Sequence, residues 1–244
     1  MLDDRFSRVR ARSARAALFC VTLAAARTTR AQLPGLPSAQ SAFPAPGLAL
    51  ALNGGRGDGR TVAGLAGATG VRRLQLTAAV GLPGTLAGYD RSGVSGGVRI
   101  AGRLYRTPRL GVSAFAGYGG ERMRRQPLAS AYALGGVTAA SATGRFSQIP
   151  VGISVGLRGL VGVRPYAVSL APMYAYSRWT IADTTRTRSG ARLAALAEIA
   201  VTRRIGVGVA AEVRSGGPTG SPYAGRRTVF GAGLSYAIRR VVAR

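Results

Sequence analysis

Residues 229–239 read V-F-G-A-G-L-S-Y-A-I-R. Phe230, Ala232, Leu234, Tyr236 and Ile238 alternate with Gly231, Gly233, Ser235, Ala237 and Arg239. Side chains of an extended chain point to opposite faces in turn. A period of two therefore predicts a β-strand with one greasy face and one small or polar face. The face that carries Gly231, Gly233 and Ser235 is too small to pack as an ordinary core. That imbalance directs attention to which side of the sheet meets water.

The same alternation recurs upstream over 205–213, 193–201, 166–176, 151–157, 110–118, 94–104, 74–82, 61–69 and 48–52. The 61–69 run is a weak strand of Gly and Ala. Short turns at 70–72, 106–108, 159–162 and 202–204 alternate with longer loops at 53–60, 83–91, 120–144, around Asp183, Arg186 and Arg188, and at 215–222. Two turns are close copies: T-P-R-L-G-V-S-A (107–114) and T-R-R-I-G-V-G-V (202–209). Short turns at one end and long loops at the other predict an all-β, antiparallel up-and-down barrel. The count is ten strands. It becomes eight if 47–69 pairs outside the barrel, and twelve if 128–141 adds a hairpin.

The two faces differ in character. Arg73, Gln75, Thr77, Arg99, Arg103, Ser113, Arg192, Glu198, Glu212, Arg214 and Arg239 share the small or charged face, together with most of the strand glycines. The opposite face is large and apolar. A soluble barrel would pack the apolar set inside, so this pattern predicts a transmembrane barrel with lipid outside. Tyr166 and Tyr236 fall near the short-turn end; Tyr118, Tyr174, Tyr176, Trp179 and Phe230 fall near the other. Together they make the expected aromatic girdle. A secreted, soluble, glycine-rich β-protein is the alternative of another class.

Other segments frame the barrel at 47–240. Residues 1–31 have the pattern of a secretory signal. Arg5, Arg8, Arg10, Arg12 and Arg15 precede an apolar core at 16–26, too short to span a bilayer as a helix, and cleavage is expected after Ala31. Residues 32–46 form a Pro-rich leader, read as irregular or extended, and 241–244 a basic tail. The formal charge is +26, every basic residue is Arg, histidine is absent and Cys20 is the sole cysteine. Arginine is scattered over turns, loop tips and strands, which argues against a nucleic-acid surface.

The alternating Phe230, Leu234 and Tyr236 are similar to the last strand of the small outer-membrane β-barrel proteins, the superfamily of the OmpA transmembrane domain and the porins. The resemblance spans about 47–240 at the level of pattern. Two features depart from it: Ile238 stands where a terminal aromatic belongs, with 239–244 beyond it, and Pro150 and Pro172 interrupt strands. The proline positions predict frayed or bulged ladders. The resemblance implies an outer-membrane location and a last strand read by the barrel-assembly machinery. Enzymes of this class are similar in relying on histidine, so no catalytic role is expected; no cofactor or metal site is expected either.

Glu212 and Glu198 share the inner face with Arg192 and Arg214. In the 202–204 hairpin Ala194 should oppose Glu212, bringing Arg192 and Arg214 beside it. Paired buried charge is the simpler reading. An arginine excess with Arg99 and Arg103 would also make an open lumen weakly anion-favouring. Functionally the expectation is a small passive pore or structural membrane protein. The alternative is a non-conducting surface barrel whose loops bind a partner or lipopolysaccharide phosphates through Arg122, Arg124, Arg125, Arg186, Arg188, Arg226 and Arg227.

Overall fold

The computed structural model describes residues 33, 36–44, 47–57, 60–71, 73–83, 89–125, 143–181, 184–215 and 227–239. Ten strands form one closed antiparallel barrel in meander order. They are β1 (Gly47–Gly57), β2 (Arg60–Val71), β3 (Leu74–Pro83), β4 (Tyr89–Arg106), β5 (Leu110–Arg125), β6 (Thr143–Val161), β7 (Arg164–Ile181), β8 (Thr184–Ala200), β9 (Ile205–Arg214) and β10 (Arg227–Arg239). The closing strand β10 joins β1, with Leu52 opposite both Leu234 and Leu65, so no sheet edge is left unpaired. The 128–141 run lies outside the described residues.

The apolar set faces outward. Leu48, Leu50, Leu65, Leu76, Val98, Ile153, Leu170, Leu193, Val209 and Leu234 are all exposed. Tyr166 and Tyr176 lie ten residues apart on β7. That is about 33 Å of strand, or about 25 Å along the axis at the usual tilt, the height of a lipid-facing band.

At the short-turn end, one device is used twice. The Thr107 hydroxyl accepts the N–H of Leu110 at 2.8 Å and of Arg109 at 3.3 Å; the Thr202 hydroxyl accepts those of Ile205 at 3.0 Å and Arg204 at 3.2 Å. A side-chain oxygen that mimics a backbone turn explains why the T-P-R and T-R-R copies look alike. The β6–β7 turn instead uses Gly162 at φ 60°, a conformation that side chains resist.

At the other end the strands outrun the loops expected there. Residues 53–57 belong to β1, 120–125 to β5 and 143–150 to β6, and Arg186 and Arg188 lie on β8. Asn and Gly read locally as turn signals. Here they stay extended because both neighbours continue the ladder, as in Asn53 opposite Gly64 and Gly233. β4 to β8 run for 16 to 19 residues, so this side of the barrel stands well above the band.

The prolines interrupt two separate ladders. Pairing between β5 and β6 skips from Ala116–Val151 to Gly119–Gln148, beside Pro150. Pairing between β6 and β7 skips from Gly152–Met173 to Val155–Leu170, beside Pro172. Neither site shifts register: each proline lacks the N–H its neighbour would accept, and the ladder resumes beyond it.

Candidate functional site

The barrel interior is occupied by the chain's own leader. Leu33, Leu36, Ser38, Ala39, Gln40, Ala42 and Pro44 are all buried. The segment starts in the loop-end half, where a Cβ on Gly64 would meet the Leu33 side chain at 2.5 Å. It passes β10, where Pro37 lies against Gly231, then β9, β4 and β6. It leaves by the short-turn end, where a Cβ on Gly111 would stand 2.5 Å from the Phe43 ring. The leader, expected to be irregular or extended, lies inside the barrel. The inner glycines make room for it.

Wall side chains hold the segment by its main chain. Arg214 Nη2 donates to the Leu36 carbonyl at 3.0 Å, and Arg99 Nη1 to the Ala39 carbonyl at 2.7 Å. Ser154 Oγ donates to the Gln40 carbonyl at 2.6 Å, and Ser113 Oγ to the Ser41 carbonyl at 3.2 Å. In the other direction, the Ser38 N–H donates to Glu212 Oε2 and the Ala42 N–H to Ser169 Oγ at 3.1 Å. Neutral bonds of this kind contribute about 0.5–1.5 kcal/mol each and those with a charged partner about 1.5–3. An extended segment cannot satisfy its own backbone, so burial without these partners would be costly.

Behind this clamp is a charge cluster. Ala194 opposes Glu212 and Arg192 opposes Arg214, the register expected from the 202–204 turn. Glu212, 0% exposed, accepts from Arg214 Nε at 2.7 Å and from Arg192 Nη1 at 3.4 Å. Arg192 also donates to Gln148 Oε1 at 2.9 Å and to Ser177 Oγ at 3.0 Å. Four strands are tied together by this network. Arg99 is buried on the other side of the lumen, with its guanidinium 5.6 Å from the centre of the Phe115 ring. Glu198 is buried between Ala167 and Gly208, nearer the short-turn end. Arg103 is half-buried at the foot of β4, where a register shift puts Leu104 and Tyr105 both outside.

Several expected placements are corrected. Arg73 is exposed in its turn, because the ladder ends before its alternation can carry it inward. Trp179 is not in the girdle. It follows Tyr176 by three residues, so strand parity turns it inward, where it is 2% exposed and packs on Phe146 at 6.2 Å. Tyr118, Tyr174, Tyr176, Phe230 and Tyr236 do face outward, and Tyr166 lies half-exposed across Gly159. Arg204 donates to the Tyr236 hydroxyl at 3.1 Å, tying the last strand to the 202–204 turn. Of the loop arginines, Arg122 is exposed at the end of β5. Arg226 and the side chains of Arg124, Arg125, Arg227 and Arg239 lie outside the described residues.

Gln148, Ser177, Phe115 and the leader contacts carry no distinguishing signal in the sequence. Parity places the first three inward, but nothing local pairs them. Trp179 is the sole tryptophan, which gives a direct check of its face. Its emission is expected to be blue-shifted and little quenched by brominated lipid. Strong bromolipid quenching would return it to the lipid side.

No protein-family model and no curated protein matches the sequence. Among solved structures the chain is similar to Ail, the attachment invasion locus protein of Yersinia pestis, solved with the heparin analogue sucrose octasulfate. Identity is 11%, covering 78% of this chain and 98% of that one, with a TM-score of 0.37. Neisserial surface protein A gives 11% identity over 78% and 97%, with a TM-score of 0.38. The translocator domain of the autotransporter NalP from Neisseria meningitidis gives 12% over 84% and 91%, with a TM-score of 0.43. The likeness to these small outer-membrane β-barrels is one of architecture.

Proposed function

We propose that this chain is an integral outer-membrane β-barrel, exported through a cleaved N-terminal signal, that sits closed in the membrane as a structural and surface protein. The short-turn end faces the periplasm and the tall β4–β8 wall faces out. The carrying observation is the lumen: a pore of this width needs an empty centre, and residues 36–44 lie there, bonded to five strands of the wall. This supports the closed barrel over the passive, weakly anion-favouring pore. Removal of a signal after Ala31 leaves Gln32 at the head of that segment, in keeping with a leader that seats from inside.

A surface role is the second reading, favoured by the β7–β8 hairpin. Residues 184–189 are exposed along both faces and include Arg186 and Arg188, and Arg122 is exposed on β5 nearby in height. Guanidinium groups displayed there suit phosphate-bearing partners such as lipopolysaccharide.

The test is planar-bilayer recording of the purified full-length chain. No channel steps are expected, together with partition into outer membranes and heat-modifiable migration. Steady steps would restore the open pore. A protein soluble without detergent would sink the membrane reading altogether.

A further inference from the structure

We infer that the lumen wall is a binding site for extended polypeptide backbone, and that residues 36–44 of this chain are its resident, exchangeable ligand; this rests on the closed-barrel reading. The wall holds the segment's main chain at six points. Four carbonyls, of Leu36, Ala39, Gln40 and Ser41, are met by Arg214, Arg99, Ser154 and Ser113. Two amides, of Ser38 and Ala42, are met by Glu212 and Ser169. Among the segment's side chains, Gln40 accepts from Arg99 at 3.3 Å, and the Phe43 ring lies under the Arg158 guanidinium at 5.1 Å.

Shape supplies the rest. Wall glycines lie under the larger groups of the segment: Gly231 under Pro37, where a Cβ would stand 2.9 Å from Pro37 Cδ, and Gly111 under Phe43. Recognition through backbone bonds tolerates many side chains, because every residue offers the same carbonyl. The site is also held open from behind. Arg192, Gln148, Ser177, Glu212 and Arg214 are joined wall to wall, so their positions do not depend on the ligand. A preorganised wall binds with less ordering cost.

Departure of the segment would leave the Arg99 and Arg214 guanidiniums facing water in a narrow channel. Arginine at a constriction favours anions. The closed barrel would then become an anion-preferring pore, and a free peptide of sequence L-P-G-L-P-S-A-Q-S-A-F-P, matching 33–44, would close it again.

The experiment uses the full chain with a protease site inserted after Pro44, cleaved after folding and washed. The intact chain should be silent in bilayers, and the nicked, washed chain should show steps with chloride preferred over potassium. The matching peptide at ten times its Kd should cut open time about tenfold, by simple occupancy. A peptide with residues 38–42 permuted, and the prolines, leucines and phenylalanine kept in place, should also block, since that stretch is read through its backbone. An intact chain that conducts overturns the closed-barrel reading. A nicked chain that has lost the segment yet stays silent overturns the site and leaves the closed barrel standing, as does a pore that the matching peptide does not block. Should the nicked segment stay seated, full-length Gly111→Leu with Gly231→Leu decides, because its new side chains take the places of Phe43 and Pro37. That variant should conduct, and its silence would overturn the inference.

Discussion

Replacing Glu212 by alanine is expected to destabilise the folded barrel by about 3–5 kcal/mol, the usual cost of removing one partner from a buried ionic cluster. Glu212 has no contact with solvent and is the acceptor shared by Arg214, Arg192 and the Ser38 amide. Its loss leaves two like-charged guanidiniums side by side in the closed lumen without the carboxylate they share. Arg192 would keep Gln148 and Ser177, and Arg214 would keep the Leu36 carbonyl, so the effect stops short of unfolding. Glu212→Gln preserves shape and one acceptor and should fall between wild type and alanine. Removing the whole cluster, with Arg192→Met, Glu212→Leu and Arg214→Met together, should recover much of the loss, because no unpaired charge remains. Urea midpoints in detergent micelles would measure the series. An alanine variant within about 1 kcal/mol of wild type would mean that water or another acceptor already serves these arginines.

Arginine at Leu170 is expected to cost about 2–4 kcal/mol when the barrel is in lipid, the range for a cation at mid-depth on the outer face of a barrel. Leu170 points outward and lies four residues from both Tyr166 and Tyr174, midway between the girdles. The same change at Thr187, exposed on β8 above the band, should shift stability by a few tenths of a kcal/mol at most. Unfolding from liposomes reads the contrast. Equal effects at the two positions would remove the case that Tyr166 and Tyr176 bound a lipid-facing band.

Much of this fold was legible because alternation is a local property. Leu74, Leu76, Val80 and Leu82 announce their face without knowledge of any partner. The turn copies at Thr107 and Thr202 announce antiparallel neighbours, and with turns known the register of Ala194 on Glu212 follows by counting. Parity alone would have turned Trp179 inward, since it is an odd number of residues from Tyr176. Aromatic character by itself points to the girdle and masks that parity. Strand ends were less legible. Asn53, Gly54 and Gly55 carry turn chemistry, and only ladders on both sides keep them extended.

What the sequence by itself determined is the architecture: alternating runs in a meander, an apolar outer face, a small and charged inner face, and the register that sets Glu212 beside Arg192 and Arg214. Each follows from side-chain direction at short range. What only the tertiary structure decided is the content of the lumen. Ser38 meets Glu212 across 174 residues and Leu36 meets Arg214 across 178. No local pattern marks such contacts, because the wall grips the main chain, which is the same at every position. A run of prolines and small residues reads as an unstructured leader until a closed barrel supplies the partners its backbone lacks.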